Sequence, residues 1–209
     1  LRRAERLDPA EVREAVDATR QQIARLDRAV SGFLKVARLR RLTVVPLDPA
    51  QLVSEVADLL APEATMAGLE IAVDCPAGAR DLPGDREVLR QALINVVKNA
   101  IQALPSRDRR VTIAVREENG RVALSVQDTG PGMSEEVRRR AFDLYMTTKE
   151  SGTGVGLAFV LQAVEMHGGT VTLDSVPHGG TTVTMRLRAS DAPRSTEQAA
   201  LAVRGEGMS

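Results

Sequence analysis

The residues of this chain whose types and spacing could do chemistry fall in four stretches. In the first, Val88–Leu104 (VLRQALINVVKNAIQAL), Asn95 and Asn99 stand four apart, which puts both on one flank of a helix. An amide carbonyl is a hard oxygen ligand of the kind Mg²⁺ takes beside phosphate oxygens and water. The plain alternative is a pair of polar residues at the rim of a core helix. Lys98, between them, could reach a phosphate or simply face water. The second stretch is Asp128-Thr-Gly-Pro-Gly-Met133. A carboxylate at a strand end can accept a hydrogen bond from the exocyclic amine of adenine, or merely cap the turn. Gly130 and Gly132 would let the backbone approach a base closely. The third, Phe142–Lys149 (FDLYMTTK), offers Thr147, Thr148 and Lys149 as polar groups on a loop, with Phe142 as its apolar anchor. The fourth, Gly152-Thr-Gly-Val-Gly-Leu157, opens a helix; glycines there bring backbone N–H groups and the positive helix end against an anion.

These groups need a frame, and hydrophobic periodicity supplies one. Val88, Leu89, Ala92, Leu93, Val96, Val97, Ala100, Ile101 and Leu104 mark one buried face of a helix that Asp85 is placed to cap. Upstream, Asp48-Pro-Ala-Gln51 starts a helix with Leu52, Val56, Leu59 and Leu60 on one face, and Gly68 ends it. Alternation at Leu69, Ile71 and Val73 predicts a strand to about Cys75. Val111, Ile113 and Val115 predict a second, Asn119-Gly120 a hairpin turn, and Val122, Leu124 and Val126 the returning strand that delivers Asp128. Residues 129–153 read as a lid with one short helix near 134–142. A last helix runs over 154–166, and a final hairpin turns at His178-Gly-Gly180 into a strand carrying Thr181, Val183, Met185 and Leu187. The expected fold is α/β, a two-layer sandwich with helices on one face of a mixed, mostly antiparallel sheet of about five strands.

In order and spacing the four stretches resemble the N box, first glycine box, F box and second glycine box of the ATP-binding domain of sensor histidine kinases. That domain shares a superfamily with gyrase, the heat-shock chaperone ATPases and the mismatch-repair ATPases. The resemblance covers roughly Asp48 to Arg188, and TTK-x-x-GTGVGL is closest in style to the nitrogen-regulation type. It implies that Asn99, with Asn95, holds Mg²⁺, that Asp128 and Thr181 meet adenine, and that Lys98, Gly130, Gly132, Thr147, Thr148, Lys149 and the run Gly152, Thr153, Gly154, Val155, Gly156 and Leu157 surround ATP. It implies transfer of the γ-phosphoryl group to a protein histidine and then to an aspartate of a response regulator. In ATP-hydrolysing relatives a Glu stands where this chain has Asn95, and an amide is a poor general base. A nucleotide-binding dimerisation module without kinase activity is the further alternative.

Ahead of this domain, Asp8-Pro-Ala-Glu11 reads as a helix start, and Val12, Val16, Thr19, Ile23, Leu26, Val30, Phe33 and Ala37 form a heptad seam. The resemblance makes residues 8–41 the second helix of a dimerising hairpin, so that a homodimer forms when the hairpin is complete. The accepting His of a His-Glu-x-x-x-Pro motif is absent; His167 and His178 have other contexts, so self-phosphorylation by this chain is not expected. The expected division is 1–41 partial hairpin, 42–188 ATP-binding domain and 189–209 disordered tail.

Composition narrows the rest. The 209 residues carry 28 basic and 28 acidic side chains, so net charge names no polyanionic partner. Aromatic content of 2% leaves nothing for stacking bases, and no nucleic-acid partner is expected. The single cysteine, Cys75, fits a reducing, cytoplasmic setting. No apolar run approaches the ~20 residues of a membrane span, and a membrane link would come through segments outside this chain.

Overall fold

The computed structural model of the chain describes residues 42–103, 110–149 and 152–191, together with Val16 and Thr19, both helical and exposed. The rest of the heptad seam, Leu104 and the tail from 192 lie outside the described residues.

Strand β1 (Val45–Leu47) leads into helix α1 (Pro49–Met66), then β2 (Glu70–Asp74) and β3 (Leu82–Gly84). Helix α2 (Arg86–Ala103) follows, then β4 (Arg110–Glu118), β5 (Arg121–Asp128), α3 (Glu135–Arg139), α4 (Gly156–Met166), β6 (Thr170–Ser175) and β7 (Thr181–Arg188). The main sheet has five strands in the order β2-β4-β5-β7-β6. Only the β2–β4 pair is parallel; the others are antiparallel, so the sheet is mixed and mostly antiparallel, as the alternation implied. A separate two-stranded sheet pairs β1 with β3.

Local chemistry explains the boundaries. The Asp48 carboxylate accepts the Ala50 N–H at 2.8 Å, and Pro49 occupies the first turn, where its missing N–H costs nothing. Gly68, at φ +72°, closes α1 in the left-handed region, with the Leu69 N–H returning to the Ala64 carbonyl at 2.9 Å. Asn119 and Gly120, at φ +51° and +75°, make the tight turn between β4 and β5. The core lies between sheet and helices. Leu89, Ala92, Leu93 and Val97 of α2 are fully buried, α2 packs between α1 and α4, and Val111, Ile113, Val115, Val122 and Leu124 face the helical layer from the sheet. Ala189 is buried and donates its N–H to Gly120, and Ser190 donates to Asp81, so the packed domain continues past 188.

Two elements were not visible as strands. The segments 45–47 and 82–84 read as linker and loop, because each is three residues long and Pro46 faces Pro83 in the pairing. A proline pair donates no ladder hydrogen bond and leaves no alternation to detect. Their function is positional. The Thr43 N–H donates to the Asp85 carboxylate at 2.8 Å, and the other oxygen of that carboxylate accepts the Glu87 and Val88 N–H groups at 3.1 and 3.2 Å, so Asp85 caps α2 as expected. His167, at the end of α4, accepts the Asp85 N–H at 2.9 Å through Nε2 and donates from Nδ1 to the Ala163 carbonyl at 2.6 Å. The start of α2 is thereby tied both to the segment before α1 and to the end of α4.

Candidate functional site

A cavity of about 620 Å³ opens where the second half of α2, the end of β5, the start of β7 and the loop from 129 to 156 meet. Of the residues singled out in the sequence, Asn95, Lys98, Asn99, Asp128, Gly132, Thr147, Thr148, Lys149, Gly152, Thr153, Gly154, Gly156, Leu157 and Thr181 line it. Gly130 and Val155 do not. Gly130 is buried behind the turn, its N–H donating to the Asp128 carboxylate at 2.8 Å and its carbonyl accepting from Gly180 at 3.1 Å. Val155 is buried and its carbonyl accepts the Phe159 N–H at 2.9 Å, starting α4.

One end of the cavity is a hydrogen-bond acceptor in an apolar wall. Asp128 closes β5 opposite Thr181 of β7, and both are buried, at 6% and 7% exposure. Burial pushes the Asp128 carboxyl above its ordinary range; hydrogen bonds from the Gly130 and Thr181 backbones and the charge of Lys149 pull the other way. Val126, Met133 and Val183 complete this end.

The opposite end is built from α2 and the start of α4. Asn95 donates from Nδ2 to the Gly156 carbonyl at 3.5 Å and accepts from Gln91 at 3.2 Å, so its amide braces α2 against α4. No hydrogen bond of this kind engages the Asn99 side chain among the described residues, and its amide lies near Gly156 on the cavity wall. Of the two asparagines, Asn99 offers the open carbonyl. Lys98 pairs with Glu63 of α1 at 3.2 Å, both side chains about two-fifths exposed, a pairing of small energetic weight.

The loop over the cavity is folded against it. The Tyr145 N–H donates to the Gly154 carbonyl at 2.9 Å, and Thr147 Oγ1 accepts the Lys149 N–H at 3.1 Å. Phe142 packs against the core, as an anchor should. Lys149 is half-buried, with Nζ donating to Gln102 Oε1 at 3.1 Å; burial lowers its pKa and the Asp128 carboxylate partly restores it.

The glycines answer to packing as much as to any ligand. Gly132 sits at φ +67°, and a Cβ there would meet the Val176 carbonyl of the β6–β7 turn. Gly154, at φ +64°, leaves no room between its backbone and that of Tyr145. The two turns and the lid therefore interlock through bare backbone, which side chains at these positions would separate. Tyr145 itself holds φ +68°, a conformation costly for an aromatic residue and concentrated at functional sites.

Sequence reasoning passed over Gln102, Ser175, Gly180 and Tyr145. Gln102 has a helical signal, lying three residues beyond Asn99 on the same flank. Ser175 had none, since its partners come from two other turns.

Comparison with known proteins identifies the family. Residues 84–191, just over half of the chain, match the family described as histidine kinase-, DNA gyrase B-, and HSP90-like ATPase. The chain belongs to that family. Among individual relatives it is 35% identical over 164 residues to the sensor histidine kinase ZraS of Klebsiella oxytoca, covering 78% of this chain and 35% of that protein. It superposes with a TM-score of 0.73 and 31% identity on full-length ShkA solved in complex with AMPPNP, over 88% of this chain and 40% of that one. The fold also matches the histidine kinase ThkA solved with the response regulator TrrA, with a TM-score of 0.70 and 22% identity, over 88% of this chain and 53% of that one. The chain thus spans about a third of the length of the relative ZraS.

Proposed function

We propose that this chain is the ATP-binding catalytic portion of a sensor histidine kinase, which presents the γ-phosphoryl group of Mg-ATP to a histidine on a helix outside the chain. The observation that carries the reading is one cavity that joins Asp128 and Thr181 at a buried, acceptor-lined end to Asn99 and the Gly152–Gly156 helix start at the other. The likeness to ShkA, solved with an ATP analogue, supports adenine nucleotide as the ligand.

Each residue has a task this geometry suits. Asp128 accepts the adenine amine while its own backbone partners hold it in place. The N–H groups at the start of α4 face the phosphates. Lys149, already inside the cavity, supplies a positive charge to them, and Thr147, Thr148 and Thr153 add hydroxyl donors from the lid. Asn99 gives an open side-chain carbonyl for Mg²⁺, with Asn95 keeping the wall beneath it rigid. Among the described residues no group of three His, Cys, Asp or Glu is placed to hold a metal, so a cation here would share its ligands with phosphate oxygens and water, the arrangement Mg²⁺ prefers. That ion would neutralise charge on the phosphates. The chain's own part in transfer is positioning and exclusion of water under the lid.

The ATPase-switch reading lacks its general base, because Asn95 stands where a carboxylate would activate water. The whole protein's partners follow from the same reading: a response regulator, as with ThkA, and a second copy through residues 8–41. A cytoplasmic setting agrees with a sequence whose single cysteine is Cys75. No helix among the described residues is long and apolar enough to cross a membrane.

A mixing experiment tests the proposal. The chain, Mg-ATP labelled at the γ-phosphate and a separately prepared hairpin bearing the accepting His are combined. Label on the hairpin His is expected. ATP binding without transfer would favour the non-catalytic module.

A further inference from the structure

The hydroxyl of Ser175, at the end of β6, makes three contacts at once. It accepts the Met133 N–H at 2.9 Å, donates to the Gly180 carbonyl at 2.9 Å, and lies 3.0 Å from Thr181 Oγ1. A serine has one proton to give, and a carbonyl can only accept. All three contacts are satisfied together only if the Thr181 hydroxyl donates to Ser175. The Thr181 proton then points away from the cavity it lines, and its lone pairs are left facing inward. Beside it, the Asp128 carboxylate takes its protein partners from the backbone N–H groups of Gly130 and Thr181 and is likewise an acceptor toward the cavity.

We propose that Ser175 is a positioning residue that sets the direction of the Thr181 hydroxyl, so that this end of the cavity presents acceptors only and admits a base carrying an exocyclic amine while rejecting one with a carbonyl in its place. The inference deepens the nucleotide reading above and rests on it. A purine with a keto oxygen would set a lone pair against both groups, and a buried acceptor without a donor is disfavoured. Without the Ser175 hydroxyl, Thr181 is free to rotate and donate, and the rejection weakens on one of its two sides.

The test compares ATP with inosine triphosphate, which carries that oxygen in place of the amine and a hydrogen on the neighbouring ring nitrogen, by titration against the full chain and its Ser175→Ala, Ser175→Thr and Thr181→Val variants, with melting curves for each. Wild type is expected to prefer ATP. Ser175→Ala should lower the preference about threefold to tenfold, the range of one neutral hydrogen bond. Ser175→Thr, which keeps the hydroxyl, should restore it. In the Thr181→Val background Ser175→Ala should leave the preference unmoved, since its effect passes through that hydroxyl. Equal weakening of both nucleotides by Ser175→Ala, or an unchanged preference, would reduce Ser175 to a brace between turns and overturn the inference while leaving the nucleotide reading intact. A wild-type chain that binds neither nucleotide would overturn both.

Discussion

Asp128 is a charged group kept in a place that disfavours charge. Its carboxyl is raised by burial, so between its ordinary value near 3.8 and the raised one the folded chain binds more protons than the unfolded chain. Stability of the nucleotide-free chain therefore falls as the pH rises through that window. Asp128→Asn carries no charge and removes this slope. Thermal melts of the two proteins are expected to diverge as the pH is raised from below 4 toward neutrality, the variant gaining on the wild type; a constant gap at every pH would contradict the account. The place of Asp128 was legible in the sequence because the alternation of Val122, Leu124 and Val126 marks a strand that ends on it. Asn99 was legible through its spacing from Asn95, but the difference between the two was not. Which amide is spent on Gln91 and Gly156 and which stays open depends on how α4 lies against α2, a tertiary fact. Ser175 was illegible for the same reason: its hydroxyl is defined by Met133 and Gly180, 42 and 5 residues away.

Among the elements, α2 was the easiest to read and the lid the hardest. A 3.6-residue period of apolar positions has one physical solution, a helix with a buried face, and α2 bears it out from Val88 to Ile101, Leu104 lying outside the described residues. Strands β4, β5 and β7 showed their period of two and the Asn-Gly turn, whereas β1 and β3 were hidden by length and proline. For the lid the sequence indicates polarity and glycine but not the fold, which follows from the Tyr145–Gly154 hydrogen bond and the close backbone approach at Gly154. Gly154→Ala meets that backbone and an unfavourable φ together, at a cost of roughly 1–3 kcal/mol to the seated lid. Hydrogen exchange at the Tyr145 amide should accelerate about tenfold or more in this variant, while amides of α2 and β5 keep their protection. Unchanged exchange at Tyr145 would show that the lid is held elsewhere.

At the scale of the whole molecule, the five-stranded sheet, α2 and α4 place groups far apart in sequence around one cavity. Asp85 joins the first segment of the domain, the start of α2 and the end of α4, so the wall carrying Asn99 is fixed from both sides. The residues lining the cavity all lie within 84–191, the stretch that matches the histidine kinase-, DNA gyrase B-, and HSP90-like ATPase family. The most direct measurement is calorimetric titration of the full chain with ATP, with and without Mg²⁺, for wild type, Asp128→Asn and Asn99→Ala. One saturable site is predicted, weakened about tenfold to a hundredfold in Asp128→Asn by loss of a charged hydrogen-bond acceptor, and insensitive to Mg²⁺ in Asn99→Ala. Equal affinity in all three proteins, with the same response to Mg²⁺, would contradict it.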